Sequence, residues 1–203
     1  MRYFHYKKEN CKTWAHPQKG FTLVETLVAI TILLVAIVGP MTIAARGLQS
    51  AFFAKDQITA FFLAQEGVEL VRAIRDQNAL TGQDWLEDIP PGTCTNSASG
   101  CGLDAQSIST QPPLFYNCNG GSQECRLNYD PNSLADNSRR RGLYNYTNGN
   151  PSPFTRQIWI REVQGGNDKE ATVTVIVSWQ SGLFAATKTV MVESRIFNHY
   201  DAP

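Results

Sequence analysis

Lys19-Gly20-Phe21-Thr22-Leu23-Val24-Glu25 is the stretch whose reading decides the fold, because an apolar run follows it at once and continues to Ala45. Phe21 to Ala45 spans 25 residues with one charge, Glu25. At ~1.5 Å per residue a helix of that length reaches about 37 Å, enough to cross the core of a bilayer. The first 20 residues carry Arg2, Lys7, Lys8, Lys12 and Lys19 against Glu9, a net charge of +4, and hold no apolar stretch of their own. They read as a cytoplasmic anchor for a helix that enters the membrane at some stage.

A secretory signal has a basic start, a short apolar stretch and a small-residue cleavage site on the far side. Here the order is reversed. The processing point, Gly20-Phe21, lies between the basic leader and the apolar run, so a cut there leaves the hydrophobic helix on the mature chain. Lys-Gly followed by Phe-Thr-Leu-Val-Glu and about twenty apolar residues resembles the type IV prepilin superfamily of pilins, minor pilins and type II secretion pseudopilins. The resemblance is specific from Lys19 to about Asn78 and architectural beyond. It implies that a membrane aspartyl peptidase, the prepilin peptidase, cuts between Gly20 and Phe21 and N-methylates Phe21. It further implies that Glu25 is the carboxylate that aligns subunits. Two departures are small: the leader is long, and Pro40, after Gly39, falls early for the bending proline.

The residues themselves say something about Glu25. A carboxylate at the centre of a spanning helix costs ~2.5 to 3.5 kcal/mol to insert, so such groups usually find a partner. Glu25 is the fifth residue after the proposed cut, and no Lys or Arg occurs from Phe21 to Ala45. A neighbouring copy's terminal amine is the nearest fixed positive charge; the other reading keeps Glu25 hydrated or protonated at the cytoplasmic interface. The prepilin resemblance favours the pairing.

About 158 residues follow Ala45, the size of one soluble domain. Without the leader the chain keeps 13 basic and 17 acidic residues, net −4, which does not suit a general polyanion binder. Leu48, Phe52, Ile58, Phe61, Phe62, Val68, Val71 and Ile74 recur near helical spacing, so one helix is expected from about Phe21 to about Gln77. Its Phe52/Phe53 and Phe61/Phe62 pairs read as core packing. Glu66 and Glu69, with Arg72 and Arg75 a turn further on, read as surface pairs.

Between Gln83 and Pro153 glycine, serine, asparagine and proline are dense, which predicts a long loop region. Long loops in compact domains are usually functional or cross-linked, and Cys94, Cys101, Cys118 and Cys125 fall here as two pairs with six residues between partners. Zinc sites prefer cysteines two to four residues apart, whereas an even count in an exported, loop-rich segment suits disulfides. Proximity favours Cys94 with Cys101 and Cys118 with Cys125, and losing either bridge is expected to loosen the loop while sparing helix and sheet. Cys11 is in the leader.

The last fifty residues carry the strand signal. Ile158 and Ile160 alternate with Trp159 and Arg161; Gln164 to Asp168 reads as a turn; Val173, Val175, Val177 and Trp179 share one face; Val190, Val192 and Ile196 share another. A three-stranded antiparallel meander is expected, with Leu143 to Tyr146 as an added edge strand. The fold class is α+β and pilin-like: leader 1–20, removed; membrane or filament-core helix 21–45; helix continuation 46–78; cysteine-bearing loop region 79–153; antiparallel sheet 154–203.

No catalytic constellation is evident. Beyond the leader the one histidine is His199, four residues from the end, and no phosphate loop or His-Glu-x-x-His motif occurs. The chain therefore reads as a non-enzyme with no cofactor or metal. Arg139-Arg140-Arg141 could contact phosphate, but with Asp130 and Asp136 near it reads as a solvated turn rather than a nucleic-acid site. Two function classes follow. One is a structural subunit, of the minor kind, of a type IV pilus or type II secretion pseudopilus. The other is a filament-tip binding protein, an adhesin or DNA-uptake pilin, whose cysteine-rich loop recognises a ligand. The expected partners are prepilin peptidase, other pilin or pseudopilin subunits, an inner-membrane assembly platform and, before assembly, membrane lipid. The expected location is the bacterial cytoplasmic membrane, N-terminus inside, and then an extracellular or periplasmic filament.

Overall fold

The computed structural model describes residues 20–90, 93–95, 99–110, 112–118, 125–131, 142–163, 169–180 and 186–198. Leader residues 1–19, Arg139 to Arg141, the 164–168 turn and His199 lie outside them. The chain divides into two compact units, Met1–Gln49 and Ser50–Pro203, the second called the head below.

Helix α1, Leu23–Thr81, is 59 residues long and runs through Pro40. Its first part has the length and composition to cross a membrane, and every residue from Gly20 to Gln49 is exposed within the protein. The hydroxyls in this stretch are satisfied internally. Thr26, Thr31 and Thr42 donate to the carbonyls of Leu23, Val28 and Gly39 at 2.7 to 2.8 Å, which removes the cost of an unpaired hydroxyl in lipid. The far end closes as a Schellman motif: the Gln83 amide bonds the Asn78 carbonyl at 2.9 Å and the Gly82 amide bonds that of Ala79 at 3.2 Å. Gly82 takes the left-handed conformation, φ 73°, that this cap requires.

In the head, Ala60, Leu63, Ala64, Gly67, Val68, Val71, Ile74 and Asn78 form the buried stripe of α1, at the three- and four-residue spacing of one helix face. The stripe packs on an antiparallel sheet with seven strands among the described residues: β1 Cys101–Gly102, β2 Tyr116–Asn117, β3 Arg126–Asp130, β4 Leu143–Asn145, β5 Asn150–Glu162, β6 Glu170–Trp179 and β7 Lys188–Phe197. Strand β5 is the spine. Along one edge it pairs with β6 from Phe154↔Trp179 to Glu162↔Ala171, and β6 pairs with β7 over its whole length. Along the other edge β5 pairs first with β3 and then, at Ile158, with Cys101 of β1; β4 borders β3 and β2 borders β1.

The C-terminal meander follows the expected alternation. Val173, Val175, Val177 and Trp179 of β6 face the core with Phe154, Ile158 and Ile160 of β5. Two features differ from the sequence reading. Besides the expected edge strand β4, the 79–153 region contains β1, β2 and β3, whose two to five residues carry no periodic signal. And β5 begins at Asn150, through Pro151 and Pro153, residues that read as strand breakers; both precede the first β6 pair at Phe154, so no hydrogen bond to β6 is lost.

The phenylalanine pairs also differ. Phe53 packs on Trp179, with ring centroids 6.4 Å apart, but Phe52, Ile58, Phe61 and Phe62 are 45–62% exposed. They lie off the buried stripe, so they are not core of this chain.

Candidate functional site

Gly20, Phe21 and Thr22 precede the helix. Phe21 is 80% exposed, and a Cβ added at Gly20 would meet nothing within 4 Å. Nothing in the packing of the described residues requires glycine there. The helix begins where it does because Thr22 caps it: its hydroxyl accepts the Glu25 amide at 3.2 Å, and its carbonyl accepts the Thr26 amide at 3.1 Å. Thr22-Leu23-Val24-Glu25 is the T-x-x-E pattern of a capping box, a signal present in the sequence that its reading overlooked. Glu25 therefore sits in the first turn, where a carboxylate complements the positive end of the helix dipole. Its carboxylate has no partner among the described residues.

The four head cysteines form two disulfides, Cys94 with Cys101 and Cys118 with Cys125, with Cα atoms 4.8 and 5.3 Å apart. With their sulfurs joined in pairs they are not available as a zinc tetrathiolate. Both bridges are fastened to β5. The Ile160 amide bonds the Cys94 carbonyl at 3.1 Å and the Arg156 amide bonds the Cys125 carbonyl at 3.0 Å. Cys94 and Cys101 also belong to the hydrophobic core with Ile158 and Ile160. Loss of Cys94–Cys101 should therefore disturb the sheet as well as the loop, contrary to the expectation for that bridge. Its neighbours explain the tight seat. Gly100 has φ 69°, and a Cβ there would stand 2.8 Å from the Ile158 carbonyl; a Cβ at Gly102 would stand 2.8 Å from the Tyr146 ring.

The sequence reading missed the polar centre of the head. Arg156 is fully buried. Its Nη1 donates to the Leu63 carbonyl at 3.1 Å and to Glu66 Oε2 at 2.7 Å, and its Nη2 donates to the Leu103 carbonyl at 2.6 Å. The guanidinium lies 5.9 Å from the Tyr146 ring centroid, and the Tyr146 hydroxyl donates back to the Arg156 carbonyl at 3.1 Å. Asp104, also buried, accepts the amides of Gln106, Ser107 and Tyr146 at 2.8 to 3.0 Å. Burial alone would lower the Arg156 pKa, but Tyr146 and Glu66 outweigh it and hold it above its ordinary value. Burial pushes the Tyr146 phenol up against the pull of Arg156. Arg156 was legible in principle, since it shares the parity of Phe154, Ile158 and Ile160. Glu66 is corrected with it: Glu69 makes the surface pair with Arg72 at 2.7 Å, Arg75 pairs with Asp76, and Glu66 turns to Arg156.

Among the described residues one apolar helix has the length and composition to cross a membrane, and the head is α+β with two disulfides, an arrangement that fits membrane anchoring. Residues 16–39 match the family model for the prokaryotic N-terminal methylation motif, the signature of type IV prepilins. No curated protein and no solved structure matched the chain.

Proposed function

We propose that this chain is a structural, minor-class subunit of a type IV pilus or type II secretion pseudopilus. The observation that carries the reading is the junction: the methylation motif spans residues 16–39, and within it Gly20-Phe21 lies ahead of the capped helix, where an extended peptide can enter a protease. Prepilin peptidase cuts there and N-methylates Phe21, and Glu25 then pairs with the terminal amine of a neighbouring subunit. The family that carries this motif is structural rather than enzymatic. Exposed Phe52, Ile58, Phe61 and Phe62 extend the apolar surface of α1 beyond the spanning stretch, as lateral packing among other pilin helices would require. Before assembly the helix anchors the chain in the cytoplasmic membrane, N-terminus inside; afterwards the subunit stands in a periplasmic or extracellular filament.

Mass spectrometry of the N-terminal peptide from native membranes should find a chain beginning with methylated Phe21, and Gly20→Leu should leave full-length precursor. An intact leader in assembled material, or a cut beyond Ala45, would sink this reading.

A further inference from the structure

On the face of the sheet turned away from α1, register places Arg126 of β3, Thr155 of β5 and Ser178 of β6 side by side, Arg126↔Thr155 and Thr155↔Ser178. Adjacent strands are ~4.8 Å apart, so one cation and two hydroxyls stand in a row at that spacing. The row floors a cleft of about 320 Å³, further lined by Pro153, Gln180 and Thr187, within the ~300–1,000 Å³ range of small-molecule sites. The Arg126 Nε donates to the Ser152 carbonyl at 2.6 Å, which fixes the plane of the guanidinium. Among the described residues no carboxylate pairs with it.

We infer that this cleft binds an acidic sugar, a pyranose carrying one carboxylate. Among the described residues the lining holds one cation, which matches one carboxylate through the paired donors of a guanidinium. A nucleic-acid strand would call for a row of cations along its backbone. A neutral sugar would leave the guanidinium unanswered. Across a pyranose the ring hydroxyls lie opposite the carboxylate, in reach of Thr155 and Ser178, and the exposed Pro153 ring offers an apolar edge to the sugar's C–H face. The site belongs to the head and stands independently of how the N-terminus is processed, so failure of either reading leaves the other in place.

The test uses the full chain in detergent micelles, titrated with glucuronic acid, glucose and inorganic sulfate while amide resonances are followed by NMR. Glucuronic acid should shift the amides of Thr155, Ser178 and Gln180, with glucose and sulfate each about tenfold weaker or more. Arg126→Gln should weaken glucuronate at least ~10-fold. Ser178→Leu, which fills the cleft from the solvent face and leaves the Arg126–Ser152 contact alone, should abolish it. No response to glucuronate at tens of millimolar, sulfate binding equal to glucuronate, or undiminished binding by a folded Ser178→Leu would each overturn the inference.

Discussion

The two parts of α1 are made from similar apolar residues and differ in what those residues meet. From Leu23 to Gln49 every side chain is exposed within the protein and no single face is favoured, as suits a helix whose surroundings are lipid or other helices. From Ala60 to Asn78 burial recurs every three or four residues on one stripe, and Gly67 brings the backbone close enough that an added Cβ would lie 3.0 Å from Val175. Hydrophobicity alone therefore does not say what a helix packs on. The glycines, the buried polar groups and the period do.

The sharpest way to break this comparison is Arg156→Ala. Arg156 holds the packed part of the helix through Leu63 and Glu66; removing it leaves the Leu63 and Leu103 carbonyls unpaired in the core and the 30% exposed Glu66 without its cation, about 3–5 kcal/mol in all. For a chain of this size that is a fall in melting temperature of about 6–20 °C. Membrane insertion should be unchanged, because Arg156 belongs to the head and the spanning stretch to the other compact unit. A melting temperature within a degree or two of the parent would show that the polar centre does not secure the helix.

The two bridges sharpen the contrast within the head. Replacing Cys94 and Cys101 by alanine should cost more than the same change at Cys118 and Cys125. Each loses ~2–4 kcal/mol of cross-link stabilisation, but Cys94 and Cys101 also lose core packing beside Ile158. Chemical denaturation of the two double variants gives the difference directly, and equal midpoints would contradict it.

The smallest effect compares one substitution in two places. Gly67→Leu should destabilise the head by about 1–3 kcal/mol through overpacking against Val175 and Ile158. Gly47→Leu meets nothing within 4 Å and should leave head stability unaltered, while favouring the helix by a few tenths to ~1 kcal/mol. Thermal melts of both variants read the contrast; similar losses at the two sites would mean that the exposed part is packed after all.

The helix was legible in sequence because its apolar run and its Asn78 to Gly82 stop are local signals, and β5 to β7 were legible through alternating valines and isoleucines. Leu143 to Asn145 likewise forms the expected edge strand, on β3. Strands β1 and β2 were not, since two residues carry no period and their pairing is set by a disulfide and by β5. Arg156 escaped because a charge at a strand position reads as solvent-facing unless its parity is trusted over its type. The exposed phenylalanines escaped for the opposite reason, apolar type being trusted over helical angle. At the junction, Thr22 is legible as a cap only from the T-x-x-E spacing, a weaker signal than the lone charge of Glu25 three residues on.

Both disulfides join cysteines seven positions apart, and this bears on how the bonds of the head form. Pairing Cys94 with Cys118 would instead close a loop of 24 positions. Loop-closure entropy scales as (3/2)RT ln n, so the short pairing is ahead by about 1 kcal/mol, roughly fivefold in the rate at which a freshly oxidised thiol finds its partner. The native bonds are thus the kinetic products as well as those that fit beside β5. An oxidant alone should suffice for maturation, with little for a disulfide isomerase to repair.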